Sequence, residues 1–298
     1  MDYCPRTDLA CEAGEKLSSI EGTEYSVELC EPCVIERLDI LTADAEQRLG
    51  KRRGRYITVS TPRIEYLERD DKADVARVIS LELRNLLERA TDKTISESFS
   101  VLAVGLGNPS ITADAIGPFT ADRITATAHL IEQAPQLFDA LGMCSLSVSI
   151  PGVIGKTGIE TAETVISAAE TVRPDAVVII DALAARSTER LARTFQLSDT
   201  GITPGAGVGN ARSELSQNRL GIPVISIGVP TVVDSSTLVF DLLSEAKKMP
   251  DDKIKEAIEN MKPYFVTPKE ADVIVDSAAE ILASAIDSAL VISRPSPA

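Results

Sequence analysis

Two aspartates in this sequence follow short apolar segments in a pattern that suits acid–base chemistry. Residues 101–104 (VLAV) lead through a glycine-rich turn, residues 105–109 (GLGNP), to Asp114, and residues 176–180 (AVVII) run directly into Asp181. The carboxyl ends of parallel strands meet at one edge of an open sheet, where ligands bind. Two carboxyl groups brought together there cannot easily both be ionised, so one tends to keep its proton. The spacing therefore predicts an acid and a base made from two aspartates.

The residues alone also allow other roles for these aspartates. Aspartate is common at strand ends as a turn residue or helix cap, and Asp114 is placed to begin a helix. By ligand type, Asp114 and Asp181 with His129, the single histidine, would also suit a metal site. A Ser-His-Asp or Cys-His mechanism would depend wholly on His129, and the sequence contains no G-x-S-x-G or H-E-x-x-H motif.

The composition predicts a globular cytoplasmic protein without a basic binding face. The chain has 298 residues, is 44% hydrophobic and carries a net charge of −15. This charge argues against direct nucleic-acid binding, which needs a basic face. The one basic run, residues 51–55 (KRRGR), is typical of a solvated turn, with a local anion site as the alternative. No apolar run approaches the roughly 20 residues needed to cross a bilayer, so we expect no membrane partner.

The five cysteines predict free thiols rather than a disulfide framework. Cys4, Cys11 and Cys144 are scattered along the chain, and an odd count is typical of reduced cytoplasmic proteins. Cys30 and Cys33 have the C-x-x-C spacing of redox or zinc sites, but structural zinc takes four ligands and no second pair is present. We therefore predict a loop pair there, and no metal or other cofactor.

Segments rich in glycine or proline follow the predicted strands and favour a groove for an extended chain, because glycine lets the main chain approach a ligand closely. They are residues 105–109, 151–155, 201–210 and 228–231. A non-catalytic nucleotide-binding protein is the alternative, since residues 205–209 (GAGVG) resemble a phosphate loop. That segment lacks the Gly-Lys-Ser/Thr ending of a P-loop, and the G-x-G that begins at Gly105 reaches Ser110 where the dinucleotide motif needs glycine.

The predicted elements give an α/β fold. β-like segments at residues 24–40 and 54–60 form an irregular N-terminal extension, and residues 72–89 form an amphipathic helix. From residue 100 onwards strands and helices alternate, which predicts a mostly parallel twisted sheet flanked by helices. Further strands are predicted at residues 101–105, 146–150, 176–181, 194–198 and 222–229. Further helices are predicted at residues 115–132, 235–248, 251–261 and 268–290. A capping box at residues 157–160 predicts the start of one more helix. We assign residues 1–298 to one domain, with residues 1–70 as the extension and residues 71–298 as the α/β core.

The longest motifs are residues 102–118 (LAVGLGNPSITADAIGP), 149–161 (SIPGVIGKTGIET), 177–190 (VVIIDALAARSTER), 196–216 (QLSDTGITPGAGVGNARSELS) and 220–234 (LGIPVISIGVPTVVD). With the two ends, residues 6–13 (RTDLACEA) and 266–282 (VTPKEADVIVDSAAEIL), they resemble the germination protease family of endospore-forming bacteria over nearly the whole chain. The resemblance implies a fold similar to hydrogenase-maturation peptidases and an endopeptidase that degrades small acid-soluble spore proteins in the core of the germinating spore. It also implies a homotetramer made as an inactive precursor. The family's catalytic aspartates lie in T-x-D-A-x-G-P and I-D-A-L-A-A-R motifs, which here place them at Asp114 and Asp181.

The mechanism that we expect is acid–base hydrolysis without a covalent intermediate. One aspartate takes a proton from the attacking water, and the other, protonated, hydrogen-bonds the carbonyl oxygen and later helps protonate the leaving amine. Coupled groups titrate as a pair, so the sequence does not assign the two roles. Main-chain N–H groups of the glycine loops are candidates for stabilising the oxyanion. Arg186 is expected either to support a carboxylate or orient substrate, or to form a structural salt bridge. A metal-dependent maturation peptidase is the alternative enzyme.

Two features depart from the family pattern. Only five residues precede Arg6, where the family's precursor has a longer leader, which puts maturation by removal of a pro-segment in question. Residues 245–265 look shortened. Residues 23–28 (TEYSVE) also resemble the Thr-Glu-aromatic-Ala/Ser sequence that the family cuts in its substrates, so self-cleavage there is a further hypothesis, with coincidence as its alternative.

Overall fold

A nine-stranded sheet forms the centre of the part of the chain that the computed structural model describes, residues 7–12, 20–205, 212–245 and 264–292. Its strands are β1 (Thr23–Cys30), β2 (Cys33–Ile40), β3 (Gly54–Ser60), β4 (Ser100–Gly105), β5 (Ser145–Ser149), β6 (Ala176–Ala185), β7 (Thr194–Ser198), β8 (Val224–Asp234) and β9 (Phe265–Val266). The strand order is β1-β2-β3-β7-β8-β6-β4-β5, and β9 pairs with β8. The α/β class and the β-containing N-terminal extension are confirmed.

The parallel part of the sheet is β5-β4-β6-β8. Its central strands are apolar runs because both of their faces are covered. Along β4, Val101 and Ala103 face one hydrophobic cluster, whereas Leu102 and Val104 face the other. This alternation fixes the register, since a slip by one residue would exchange the two faces.

The N-terminal extension joins this sheet through antiparallel pairs. β1, β2 and β3 form a meander, β3 pairs with β7, and β7 pairs with β8. The predicted β segments at residues 24–40 and 54–60 therefore continue the sheet that carries the two aspartates.

Helices cover both faces of the sheet. They are α1 (Ala43–Leu49), α2 (Arg69–Thr91), α3 (Ile116–Ala121), α4 (Leu130–Gln133), α5 (Pro135–Leu141), α6 (Ile154–Thr157), α7 (Thr161–Val172), α8 (Gln217–Leu220), α9 (Ser235–Glu245) and α10 (Ala271–Ala289). α2 and α10 pack together on one face, and α7 packs against the other. None of the helices in the described ranges is both long and apolar enough to cross a membrane. The helix predicted at residues 251–261 lies outside those ranges.

Two local predictions were wrong. The helix expected over residues 115–132 is divided into α3 and α4, because the Thr127 hydroxyl donates to Cys144 O (2.7 Å) and accepts from Leu146 N (2.9 Å). These bonds draw the chain towards β5. The capping box expected at residues 157–160 is absent: Thr157 ends α6, and α7 begins after Glu160, whose side chain makes no cap hydrogen bond.

Candidate active site beside strand β6

Asp181 lies where β6 extends beyond its neighbour β4. The pairing of β4 with β6 ends at Gly105 and Ile180, whereas β8 accompanies β6 as far as Ala185. Asp181 therefore lies inside the strand, whereas the sequence predicted that the strand ends at this residue. Asp181 is 6% exposed, and its Oδ1 accepts a hydrogen bond from Ala182 N at 2.9 Å.

Asp114 ends a short 3₁₀ helix, Thr112–Asp114, between β4 and α3. Asn108 N donates both to Asp114 Oδ2 (2.9 Å) and to Asp114 O (3.1 Å), which closes the loop after β4. Thr231 of β8 holds the same helix from the other side, because its hydroxyl donates to Ala113 O at 2.6 Å. Gly107 allows this closure: its φ is +119°, and a Cβ there would lie 2.0 Å from Asp114 O.

The two aspartates line one cleft of about 800 Å³. Burial raises the pKa of Asp181 well above its usual value, and the negative charge of Asp114 raises it further. The hydrogen bond from the Ala182 N–H lowers the pKa, and the negative charge of Asp8 makes the smallest contribution, which is upward. Burial also raises the pKa of Asp114, and the hydrogen bond from Asn108 opposes this. Asp114 is only half-buried, so its carboxylate is the more readily ionised of the two.

The predicted glycine-rich segments contribute to the cleft wall, but one of them is not a loop. Gly107, Val153 and Gly201 come from three of these segments and line the cleft. Gly228 also lines it, although residues 228–231 lie inside β8. Residues 206–210 of the third segment, residues 201–210, lie outside the described ranges.

Comparisons with known proteins decide the family. A family model described as "Germination protease" matches residues 7–256. The chain belongs to the germination protease family. The germination protease of Caldanaerobacter subterraneus subsp. tengcongensis is 40% identical over 310 residues, covering 96% of this chain and 94% of the relative. Those of Clostridium acetobutylicum (37% over 313 residues; 96% and 94%) and Bacillus cereus strain G9842 (34% over 349 residues; 97% and 94%) are similar over comparable shares. The resemblance seen in the motifs is confirmed, and membership of this family makes the chain a peptidase.

Other candidates lie away from the cleft of this germination protease family member. His129 is exposed at the start of α4, and neither it nor Arg186 lines the cleft. Cys30 and Cys33 face each other across the β1–β2 hairpin as free thiols. Among the residues with described positions, no group of three His, Cys, Asp or Glu side chains is arranged to hold a metal ion. Cys4 lies outside these residues.

The sequence did not assign three polar residues that line the germination protease cleft, namely Asp8, Lys51 and Gln196. Asp8 belongs to the RTDLACEA motif, which carried the resemblance without a residue role. Lys51 begins the basic run that was expected to be a solvated turn, and it is half-buried. Gln196 lies on β7, where an amide among Thr, Phe and Leu gives no local signal of a ligand or contact.

Proposed function

We propose that this peptidase hydrolyses small acid-soluble spore proteins with Asp114 and Asp181 as its acid–base pair. The observation that carries the proposal is the position of two carboxyl groups on one cleft, with the charge of Asp114 acting on a buried Asp181. Such a pair supplies a proton acceptor and a proton donor at the same pH, which peptide hydrolysis requires.

The different environments support different roles for the two side chains. Asp181 keeps its proton, hydrogen-bonds the carbonyl oxygen of the peptide and helps protonate the leaving amine. Asp114, ionised and less buried, takes a proton from the attacking water. The main-chain bond from Asn108 holds Asp114 in this role, because an N–H donor favours the ionised form.

The biological setting follows from the family. We propose that the substrate is an extended segment of a small acid-soluble spore protein, that the enzyme acts in the spore core during germination, and that it is a homotetramer made as an inactive precursor. We also keep residues 1–298 as one peptidase domain, with residues 1–70 as its extension. Support for this unit comes from β3, which pairs with β7 and so joins the extension to the sheet of the core.

Cleavage of a purified small acid-soluble spore protein, followed by intact-mass spectrometry, tests the proposal. Asp114→Asn and Asp181→Asn are each expected to lower kcat/KM by about 10²–10⁴-fold, the contribution of a positioned acid or base. Asp44→Asn is the matched control, since Asp44 is on the surface in an ion pair with Arg48. Full activity of both site variants would overturn the aspartate mechanism, and a substrate left intact by the unaltered enzyme after removal of any inhibitory leader would overturn the substrate assignment.

A chelator separates this mechanism from a metal-dependent peptidase. We expect EDTA to leave kcat/KM unchanged. Loss of activity with EDTA and its recovery with added zinc or nickel would favour the metal-dependent enzyme instead.

A further inference from the structure

An N-terminal strap, residues 7–12, lies along β6 directly after Asp181. Asp8 N donates to Ala184 O (2.9 Å), and Ala184 N donates to Asp8 Oδ2 (2.8 Å). Further along, Glu12 accepts hydrogen bonds from Arg186 N (2.8 Å) and Ser187 N (2.9 Å). The strap thus occupies the edge of β6 beyond the point where its pairing with β4 ends.

Lys51 fixes this strap from the chain between α1 and β3. Its Nζ donates to Thr7 O and to Asp8 O, both at 3.0 Å. Gln196 adds two more bonds, because its Nε2 donates to Asp8 O (3.1 Å) and its Oε1 accepts from Ala10 N (2.6 Å). Burial lowers the pKa of Lys51, and the Asp8 carboxylate opposes that shift by favouring the ammonium. Lys51 therefore ties the strap to the chain before β3 through two carbonyl oxygens, and the Asp8 and Glu12 carboxylates both favour its ammonium form.

Asp8 also acts on Asp181 through its charge. It lines the same cleft, and its negative charge is one of the causes that raise the pKa of Asp181. On the β8 side, Asp181 is opposite Gly228, which carries no charge. Among the described residues, the charged and titratable groups that line the cleft are Asp8 of the strap, Lys51 and Arg52 before β3, Tyr56 of β3, Asp114 after β4, Glu160 before α7, Asp181 of β6, and Arg212.

We propose that Asp8 and Lys51 are positioning residues of the peptidase, an inference that rests on the aspartate mechanism proposed above. Lys51 fixes the strap. Through the strap, Asp8 holds the segment of β6 after Asp181 in place and presents a negative charge to the pair.

The pH dependence of kcat/KM tests the role of Asp8. In Asp8→Asn the amide oxygen still accepts from Ala184 N, but the charge is lost. The proton of the pair then leaves at lower pH, so the alkaline limb of the kcat/KM profile is expected to shift to lower pH. Asp44→Asn is the control and is expected to leave both limbs in place.

Hydrogen exchange tests the role of Lys51 independently of catalysis. Lys51→Met removes the bonds to Thr7 O and Asp8 O, so we expect faster exchange of the Ala184 and Arg186 amides and a fall in kcat of about 10–100-fold from the misplaced pair. Lys51→Arg keeps donors and charge and is expected to recover most of the activity. Lys93→Met is the control, because Lys93 is on the surface and pairs with Asp175.

The outcomes separate the two proposals. An unchanged alkaline limb in Asp8→Asn, or unchanged exchange at Ala184 in Lys51→Met, overturns the positioning role while Asp114→Asn and Asp181→Asn remain inactive. Activity retained in both of those variants overturns the aspartate mechanism, and the positioning role in catalysis with it. Faster exchange in Lys51→Met would in that case still establish the contact between Lys51 and the strap.

Discussion

Gly107→Ala is expected to misplace Asp114 without removing either carboxyl group of the proposed acid–base pair. A Cβ at residue 107 would lie 2.0 Å from Asp114 O, about 1.4 Å short of the 3.4 Å at which ordinary contacts begin. The atom in the way is main chain, and Asn108 ties that carbonyl and the Asp114 carboxylate together. A displacement of this size near the reacting groups lowers kcat/KM by about 10²-fold. The positive φ of +119° adds strain of about 1–3 kcal/mol to the folded state.

Gly142→Ala separates these two effects. Gly142 also has a positive φ, +60°, but a Cβ there meets no atom within 4 Å. We expect Gly142→Ala to lose about 1–2 kcal/mol in urea unfolding and to keep its peptidase activity. Gly107→Ala is expected to lose activity far beyond what its unfolding free energy explains, when both are assayed well below their unfolding transitions. Equal kcat/KM in the two variants would refute the idea that the turn at Gly107 places Asp114.

Three further outcomes follow from the same contacts. Because the pKa of Asp181 is raised in the folded protein, the free energy of unfolding is expected to fall as pH rises above the unfolded-state pKa of about 3.9. Asp181→Asn should therefore be more stable than the natural chain at neutral pH and lose that gain near pH 3. Urea unfolding across pH measures this. Thr231→Val leaves Ala113 O without its 2.6 Å hydrogen bond and should lower the free energy of unfolding by about 1–3 kcal/mol, together with some activity. The control is Thr171→Val, an exposed position that loses a bond to Ser167 O, and an equal effect there would contradict the prediction. Leu102→Ala empties a site that is 1% exposed and should cost about 2–5 kcal/mol by chemical denaturation; a cost as small as that of Leu141→Ala, which is 38% exposed, would count against the two-faced core.

The sequence predicted the central strands well because their burial requires apolar residues at consecutive positions. β4 was expected at residues 101–105 and is Ser100–Gly105, and β7 was expected and found at residues 194–198. Strands covered on both faces are short apolar runs, and Gly105 follows one of them directly. The same pattern located the start of β6 at residue 176, but the strand continues past Asp181 to Ala185.

Contacts between distant segments left no such local signal. The division of the predicted helix at residues 115–132 depends on the hydrogen bonds between Thr127 and the start of β5. A threonine within a helical pattern does not indicate such a distant partner. Likewise, Asp8 lies 176 residues from Ala184 along the chain, and their two bonds form only once the sheet is assembled. Long-range pairing of this kind has no periodicity to detect.

The end of β4 explains how one aspartate is both buried and directed at a cleft. Ile180 O accepts a hydrogen bond from Leu106 N at 2.8 Å, so the main-chain groups of Ile180 point towards β4. Alternate residues of a strand direct their main-chain groups to the same side, and those of Ala182, Ala184 and Arg186 therefore also point to the β4 side. Ala184 and Arg186 are bonded to the strap, whereas the Ala182 N–H is bonded to Asp181 Oδ1. Asp181 therefore satisfies the one amide between β4 and the strap with its own side chain. An ionised carboxylate would be costly at this depth, and an amide donor alone does not offset that cost, so the position favours a protonated acid beside the more exposed Asp114.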